Sequence, residues 1–288
     1  MDQILKTALI YKNLGETPLE ALERFRASKI MEEEGEHNNS TQTKSDGNPV
    51  TSWKTVPMTY AGRLDPLAEG ALLILIGREC KNKEKYLELD KKYEVEILFG
   101  ISTDTHDVMG LVDGISEKAT LERLDAKLQA INFSKYTGKF TQKYPSYSSK
   151  TVNGGQLHEL ARVNELPEEM PEKEVEVYSI EVLSSFGQKS GATASKISAN
   201  ELKTRIFKAV DLVMGDFRQK IIKEKWEEVL GGADKSDRKF SIIKICVKCS
   251  SGTYMRSLAD RVGKDLGTCA LALSIKRNSI GTGNYDTM

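Results

Sequence analysis

Residues 59–70 read Thr-Tyr-Ala-Gly-Arg-Leu-Asp-Pro-Leu-Ala-Glu-Gly, and they stand directly before the apolar run of residues 71–76. Gly62 permits backbone conformations that other residues avoid, and Pro66 holds its own φ at about −65°. Asp65 is therefore a carboxylate on a constrained loop beside a strand, which is where catalytic groups concentrate. Asp-Pro is also ordinary turn chemistry, so these residues taken alone favour a structural turn.

Four segments in a fixed order favour a catalytic loop over a structural turn. Residues 59–70 resemble the catalytic-aspartate motif G-H-x-G-x-L-D-P-x-A-x-G of the TruB-type pseudouridine synthases. The other three resemble the family's K-x-Y strand, its T-D-T-x-D-x-x-G loop and its S-x-G-T-Y-I-R-x-L segment, at residues 91–95, 103–110 and 250–258. A softer match covers residues 145–162. On these motifs the chain is identified as a member of the TruB-type family.

The order of elements predicts an α+β fold. Strand patterns occur at residues 7–11, 72–76, 93–99, 174–183 and 240–249, and helical patterns at 18–27, 121–131 and 253–266. The resemblance implies the pseudouridine synthase fold, which is a bent, mixed or antiparallel central sheet with flanking helices and loops. In that fold the active cleft crosses the middle of the sheet.

We expect residues 1–288 to form a single catalytic domain that carries two insertions. The first is a polar loop of about residues 30–57, and the second is a largely helical segment of about residues 188–239. Apolar spacing predicts one long helix over residues 198–230. The typical family member also carries a small C-terminal RNA-binding domain of the PUA kind, which we expect to be absent here.

Charge is balanced over the whole chain but not along it. The 42 basic and 42 acidic residues give a net charge of zero, which argues mildly against an RNA-binding protein. Two stretches are nevertheless basic. Residues 240–281 contain seven Lys or Arg against two acids, a net of +5, and residues 135–162 contain five against one, a net of +4. These stretches are candidate RNA-facing surfaces or solvated basic faces.

We expect no metal site, no membrane span and a cytoplasmic location. The four cysteines include Cys246 and Cys249 in C-x-x-C spacing, but no second pair completes a zinc site, and residues three apart on a strand face opposite sides. The three histidines are scattered. No apolar run reaches the length of a membrane span, and the N-terminus lacks a signal-peptide pattern.

The resemblance implies a reaction that needs no cofactor. Pseudouridylation breaks the N-glycosidic bond of a uridine, turns the base and rejoins it through carbon, so reactant and product are isomers. The expected substrate is RNA, most specifically a uridine in the T-loop of tRNA (position 55), flipped into a pocket. Two alternatives stay open: a synthase with another RNA target, and a catalytically idle RNA-binding or RNA-folding protein of the same fold. Balanced charge and a single core suggest a monomer.

Three residues carry the chemistry that the resemblance implies. Asp65 is the catalytic aspartate, acting as a nucleophile at C1′ or as a base at C2′, and either role requires it to be ionised. Arg256 is its counter-ion, since a guanidinium can hold a carboxylate in two contacts. Tyr93 stacks on the flipped uracil, and its hydroxyl can take part in proton transfer.

Substrate contacts are expected on both sides of these residues. Lys143, Lys150 and Arg162 would hold phosphates, Ile275 would form pocket wall, and Arg277 would contact a phosphate. Tyr60 stands where the family has the histidine of G-H-x-G, and it can stack or donate a hydrogen bond but cannot become cationic near neutral pH. Arg63 creates R-L-D, which also resembles the RluA-type synthases. Lys12 aligns with a lysine of the family's early D-K-P segment, although its neighbours differ.

Overall fold

The computed structural model describes residues 6–39, 52–183, 194–232, 238–281 and 286–287. The strands of the described residues are β1 (Thr7–Lys12), β2 (Met58–Ala61), β3 (Ala68–Ile76), β4 (Lys91–Phe99), β5 (Ile101–Thr103), β6 (Val112–Ile115), β7 (Gly138–Lys143), β8 (Thr151–Val152), β9 (Gly155–Gln156), β10 (Glu172–Leu183), β11 (Ser195–Ser198), β12 (Lys239–Cys249), β13 (Ala270–Ile280) and β14 (Asp286–Thr287). The α-helices are α1 (Pro18–Asn39), α2 (Lys83–Leu87), α3 (Lys118–Gln129), α4 (Leu157–Arg162), α5 (Ala199–Leu212), α6 (Gln219–Leu230) and α7 (Met255–Asp265). Two 3₁₀ helices cover Gly77–Asn82 and Phe133–Tyr136.

Most of the strands form one mixed sheet. Its order is β14-β1-β3-β13-β4-β12-β10-β7, with β2 pairing along β3 and β11 along β12. The pairs β1 with β14 and β3 with β13 are parallel, and the other neighbours are antiparallel. The predicted α+β class with a mixed sheet and flanking helices is confirmed.

Strand β4 shows why the sequence pattern specifies this arrangement. Successive side chains of a strand point to opposite faces of the sheet. Val95, Ile97 and Phe99 pack in a core with residues of α3 and α7, whereas Leu98 packs in a second core with residues of α5 and α6. Helices therefore cover both faces of this central strand, and each face has its own apolar cluster.

The first helix is longer than predicted. Thr17 caps it as expected, because Glu20 N donates to Thr17 Oγ1 at 3.2 Å and Thr17 N donates to Glu20 Oε2 at 2.7 Å. The helix then continues to Asn39, through residues that the sequence placed in a polar loop of about residues 30–57. That part of the loop prediction is wrong, because acidic residues with high helix propensity extend the helix. Residues 40–51 lie outside the described residues.

The described residues of the second insertion contain two helices instead of the one predicted. Ser198 caps α5 in a capping box with Glu201, as predicted, but the helix ends at Leu212 and α6 begins at Gln219. The chain turns between them through Gly215 and Arg218, which have φ angles of 87° and 65°. Helix propensity is low at glycine, and neither φ is compatible with a continuous right-handed helix. Residues 184–193 and 233–237 of this region lie outside the described residues.

Candidate active site

Asp65 lies on the loop of residues 62–67 that joins β2 to β3. Along one edge of β3, residues 73–76 pair with β2 and residues 68–70 pair with β13, so the loop leaves the sheet where one partner replaces the other. Its backbone is tied at two points, because Gly15 N donates to Pro66 O at 2.9 Å and Ala68 N donates to Asp65 O at 2.9 Å. The Asp65 side chain is 42% exposed on this fixed backbone.

Arg256, the second residue of α7, brings a buried positive charge to Asp65. Its Nε lies 2.8 Å from Asp65 Oδ2, although the arginine side chain is only 3% exposed. Nη1 donates to Thr105 O at 2.8 Å and Nη2 to Tyr147 O at 3.1 Å. Nε itself has no hydrogen-bond geometry to any described residue, so its contact with Asp65 is an ion pair by distance. Burial works against the charged guanidinium, but Asp65 and Asp107 outweigh it and raise the pKa of Arg256.

Asp107 is a second carboxylate beside the same arginine, and sequence reasoning assigned it no role. Its Oδ2 lies 3.5 Å from Arg256 Nε, and its Oδ1 accepts hydrogen bonds from the Thr105 hydroxyl at 2.7 Å and from Met109 N at 2.9 Å. Burial raises the pKa of Asp107, and the Arg256 charge opposes the rise. The available signal was the second aspartate of the T-D-T-x-D pattern.

A cleft of about 560 Å³, called here the main cleft, opens beside Asp65, and its walls include Tyr93, Tyr254 and Ile275. Burial raises the pKa of Tyr93, with the Arg277 cation opposing, and burial raises the pKa of Tyr254 to about 12. Both phenols therefore keep their protons at neutral pH. They present uncharged rings on which a nucleobase can stack.

A second cavity of about 340 Å³ also adjoins Asp65. Asp65 and Arg256 line both this second cavity and the main cleft. The ion pair thus lies where the two cavities meet.

A family model described as "TruB family pseudouridylate synthase (N terminal domain)" matches residues 52–201, just over half of the 288 residues. The chain belongs to the TruB family. This confirms the family predicted from the four motifs, three of which fall inside the matched residues. The Asp65 loop, the Tyr93 strand and the Asp107 loop are therefore all parts of the family's N-terminal domain.

Curated relatives within the TruB family carry the name tRNA pseudouridine synthase B. The relative from Francisella tularensis subsp. holarctica (strain FTNF002-00 / FTA) is 29% identical over 222 residues, which cover 77% of this chain and 55% of the relative. The relative from Borreliella afzelii (strain PKo) is 28% identical over 223 residues, which cover 77% of this chain and 59% of the relative. The chain thus matches little more than half the length of these proteins.

Solved structures similar to this chain include a Cbf5-Nop10-Gar1 complex, at 15% identity and a TM-score of 0.45, covering 96% of this chain and 48% of that chain. Another is an H/ACA RNP bound to a substrate RNA containing 2′-deoxyuridine, at 13% identity and a TM-score of 0.40, covering 96% of this chain and 47% of that chain.

Tyr60 and Arg63, where this chain departs from the TruB motif, lie at the rim of both cavities. Tyr60 belongs to β2, and Lys83 Nζ lies 5.4 Å from the centroid of its ring. A cation therefore lies beside the position that a histidine holds in the family motif. Arg63 is exposed, and its Nη1 donates to Gln156 Oε1 at 3.4 Å. This contact links the Asp65 loop to the segment of residues 145–162.

Three of the four basic residues predicted to contact phosphates are exposed, but only two of these three line one of the two cavities. Lys150 lines the main cleft, with its Nζ 5.4 Å from the centroid of the Tyr144 ring. Arg162, at the end of α4, lines the second cavity. Lys143 ends β7 opposite Glu172 and lines neither cavity. A phosphate contact at Lys143 therefore requires RNA to extend beyond the cavities.

Arg277 does not fit the predicted phosphate contact. Its side chain is 1% exposed, and it donates to three backbone carbonyls: Nε to Ala71 O at 2.7 Å, Nη2 to Gly62 O at 3.1 Å and Nη1 to Arg63 O at 3.4 Å. We correct the prediction: Arg277 braces the Asp65 loop, because its side chain is buried and three of its N–H groups bind backbone carbonyls inside the protein. Ile275 is 8% exposed and lines the main cleft.

Lys12 is a second buried cation beneath the loop. It is fully buried, and its Nζ donates to Ala68 O at 2.6 Å, Asn13 O at 3.1 Å and Pro66 O at 3.3 Å. Burial lowers the pKa of Lys12 to about 8. Lys12 and Arg277 together hold backbone carbonyls on both sides of Asp65.

Replacing Lys12 by methionine should reduce the rise in the free energy of unfolding that Lys12 contributes at alkaline pH. The pKa of Lys12 is about 8 in the folded chain, against an ordinary 10.5, so between these values the unfolded chain holds a proton that the folded chain has released. The free energy of unfolding therefore gains from Lys12 as pH rises through this window. Urea unfolding at a series of pH values should show a smaller rise in the variant between pH 8 and pH 10.5.

The rise in stability with pH should be reduced but not abolished in the variant, because burial also lowers the pKa of Lys91 to about 8. Lys220→Met removes an exposed lysine of α6 and is the matched control. Equal pH profiles for wild type and Lys12→Met would show that Lys12 is not desolvated as described.

Among residues 6–39, 52–183, 194–232 and 238–281 no group of three His, Cys, Asp or Glu side chains can hold a metal ion. Cys246 and Cys249 are both buried in β12, and burial raises the pKa of the Cys249 thiol to about 11, which disfavours the thiolate that a metal requires. No helix in the described part of the chain has the length and apolar character to cross a membrane.

Proposed function

We propose that this chain is a pseudouridine synthase that acts in the cytoplasm on a uridine of tRNA, specifically in the T-loop, without a metal or redox cofactor. The observation that carries the proposal is the Asp65–Arg256 ion pair of 2.8 Å at the junction of two cavities. The name of the curated relatives, tRNA pseudouridine synthase B, supports the substrate class.

The reaction places clear demands on Asp65. The bond between N1 and C1′ breaks, a bond between C5 and C1′ forms, C5 loses a proton and N1 gains one. Asp65 acts either as the nucleophile at C1′ or as the base at C2′, and both roles need the ionised carboxylate. Arg256 Nε lies 2.8 Å from Asp65 Oδ2 as its counter-ion, and two backbone acceptors fix the guanidinium against movement.

The surrounding residues supply binding and orientation. Tyr93 offers its ring to the flipped uracil and keeps a neutral hydroxyl, because burial raises its pKa. Lys150 and Arg162, on the rims of the main cleft and the second cavity, hold phosphates and set the register of the strand. Tyr60 assists as a stacking or hydrogen-bonding group next to the Lys83 cation.

Mapping of pseudouridine in total RNA, from cells with and without this protein, tests the proposal directly. We expect one T-loop uridine of tRNA to lose its modification when the protein is removed. The purified protein should restore it on unmodified tRNA without added metal or nucleotide. Two results together would contradict the proposed substrate: cells without the protein keep that pseudouridine, and the purified protein forms none on unmodified tRNA.

A second candidate is a synthase with another RNA target. Tyr60 and Arg63 depart from the usual motif, and the insertion also contributes Phe217 and Arg218 to the wall of the second cavity. The same mapping decides between targets, since unchanged tRNA with altered ribosomal or messenger RNA would favour this reading. A catalytically idle RNA-binding protein would leave every pseudouridine in place. The single domain and the monomer stay predictions, and light scattering in solution checks the monomer.

A further inference from the structure

The linker of residues 213–218, between α5 and α6, reaches the second cavity. Phe217 and Arg218 line this cavity together with Tyr147, Arg162 and Met109. The linker belongs to the helical insertion, which no motif of the TruB resemblance covers. The insertion therefore contributes to the wall of a cavity that Asp65 also lines.

The linker is held in place by hydrogen bonds and by its flanking helices. Gln219 Nε2 donates to Gly215 O at 2.7 Å and to Val213 O at 3.0 Å, and Phe217 N donates to Gln219 Oε1 at 2.9 Å. Trp226 of α6 is fully buried, and its Nε1 donates to Val108 O at 3.1 Å. Because Val108 follows Asp107, the insertion is anchored directly to the loop that holds Arg256.

Arg218 joins the linker to Asp104 and to Tyr147, and Tyr147 also lines the second cavity. Its Nη1 and Nη2 each lie 3.2 Å from Asp104 Oδ2, and Nη1 donates to the Tyr147 hydroxyl at 3.1 Å. Its guanidinium also lies 4.8 Å from the centroid of the Tyr147 ring. Since Asp104 already balances its charge, Arg218 serves as fixed wall.

Arg162 differs from Arg218 in having no carboxylate partner among the described residues. Its guanidinium lies 6.0 Å from the centroid of the Phe217 ring, its Nη2 donates to Asp216 O at 3.4 Å, and the side chain is exposed. It can therefore meet a phosphate beside Phe217, which is half-buried and lines the cavity. A ring next to an unpaired guanidinium suits an unstacked nucleotide, whose base stacks and whose phosphate is neutralised.

We propose that the second cavity binds the base of a nucleotide adjacent to the target uridine, and that Phe217 of the insertion is the residue on which this base stacks. The inference rests on the proposed function, because the target uridine occupies the main cleft. The two cavities meet at Asp65, so their occupants are neighbours along one RNA strand. Asp65 and Asp107 repel phosphate at the junction, which leaves the phosphate to Arg162 and Arg63 at the rim.

The first test is a binding measurement with a T-arm hairpin RNA that carries 2-aminopurine at one neighbour of the uridine. Stacking quenches this fluorophore, so wild-type protein should quench it at one of the two neighbouring positions, and Phe217→Ala should not. Phe207→Ala is the matched control, since Phe207 lies in the same insertion and lines neither cavity. Phe217→Leu keeps an apolar side chain without a ring and serves if the alanine variant does not fold.

The second test is a kinetic cycle on pseudouridine formation. Phe217→Ala should lower kcat/KM on the intact hairpin by roughly 5- to 150-fold, the usual effect of losing one stacked base. On a hairpin with an abasic residue at the quenched neighbour, the same substitution should have no further effect. Phe207→Ala should leave both rates unchanged.

The outcomes separate the inference from the proposed function. Pseudouridine formation without Phe217-dependent quenching, or with equal losses on intact and abasic RNA, overturns the inference alone. Phe217-dependent quenching without pseudouridine in any RNA overturns the proposed function and supports the base site. Absence of RNA binding overturns both.

Discussion

Asp65→Asn should lower the rate of pseudouridine formation by a factor on the order of 10⁴ or more, the loss typical of removing a catalytic nucleophile or its base. Asparagine preserves the shape of the side chain but can neither attack C1′ nor take a proton from C2′. Arg256 would then lack its nearer carboxylate partner, which lies 2.8 Å from Nε, and would keep Asp107 at 3.5 Å. A single-turnover assay on T-arm RNA measures the rate.

RNA affinity separates a catalytic role from a binding role for Asp65. We expect the dissociation constant for the T-arm hairpin to change by only a few-fold, because a carboxylate contributes no attraction to phosphates. Asp113→Asn is the matched control, since Asp113 is an exposed aspartate whose Oδ1 accepts from the Ser102 hydroxyl at 2.7 Å outside both cavities. Full activity of Asp65→Asn, or equal losses in the two variants, would contradict the catalytic assignment.

The fold followed from sequence where burial has a simple period. In β4 the residues Tyr93, Val95, Ile97 and Phe99 alternate with Glu94 and Glu96. The structure buries Val95, Ile97 and Phe99 in the core that includes α3 and α7, and Tyr93 packs against it, partly buried. Such a pattern depends only on neighbours two positions apart, so one sequence suffices to detect it. The Asp65–Arg256 pair was found differently, because only the family motifs connect residues so distant in the chain.

The partners of the buried cations were the main feature of the site that the sequence did not predict. Arg277 donates to Gly62 O, a carbonyl 215 positions away in the sequence, and no local pattern distinguishes such an arginine from one that binds phosphate. Lys12 likewise donates to Ala68 O, 56 positions away. The identity of a cation's acceptor is set by long-range contacts, and these two residues stabilise the Asp65 loop from inside the protein.

The break in the insertion was missed for a related reason. Val210, Val213 and Phe217 continue an apolar stripe across the end of α5, because both helices pack on the same core. Apolar spacing therefore looks continuous although the backbone turns. Gly215 and Asp216 were the local sign of a turn. The break matters for function, since it places Phe217 and Arg218 at the second cavity.

Arg256→Met should remove both stability and activity. The substitution leaves Asp107, 6% exposed, without its cation, and it removes the donors of Thr105 O and Tyr147 O. Breaking a buried pair in this way costs about 3–5 kcal/mol of unfolding free energy. Activity should fall together with stability, since Asp65 loses the guanidinium that lies 2.8 Å from its Oδ2 and orients its side chain. Urea unfolding and the single-turnover assay measure the two effects.

The pH dependence of the stability loss in Arg256→Met identifies its cause. Burial raises the folded-state pKa of Asp107 above its ordinary 3.8, and without Arg256 the pKa should rise further. A raised carboxyl pKa means that the folded chain holds its proton more tightly than the unfolded chain, so stability is lost as pH rises above the ordinary value. The stability difference between wild type and Arg256→Met should therefore shrink as pH falls towards the ordinary range of an aspartate.

The double variant Arg256→Met/Asp107→Asn separates the structural from the catalytic role of the arginine. Removing both members of a buried pair leaves no uncompensated charge, so much of the lost stability should return at neutral pH. Activity should not return, because Asp65 still lacks its counter-ion. Recovery of both properties would mean that Arg256 acts only by holding Asp107, and recovery of neither would mean that Asp107 is not the charge that Arg256 neutralises.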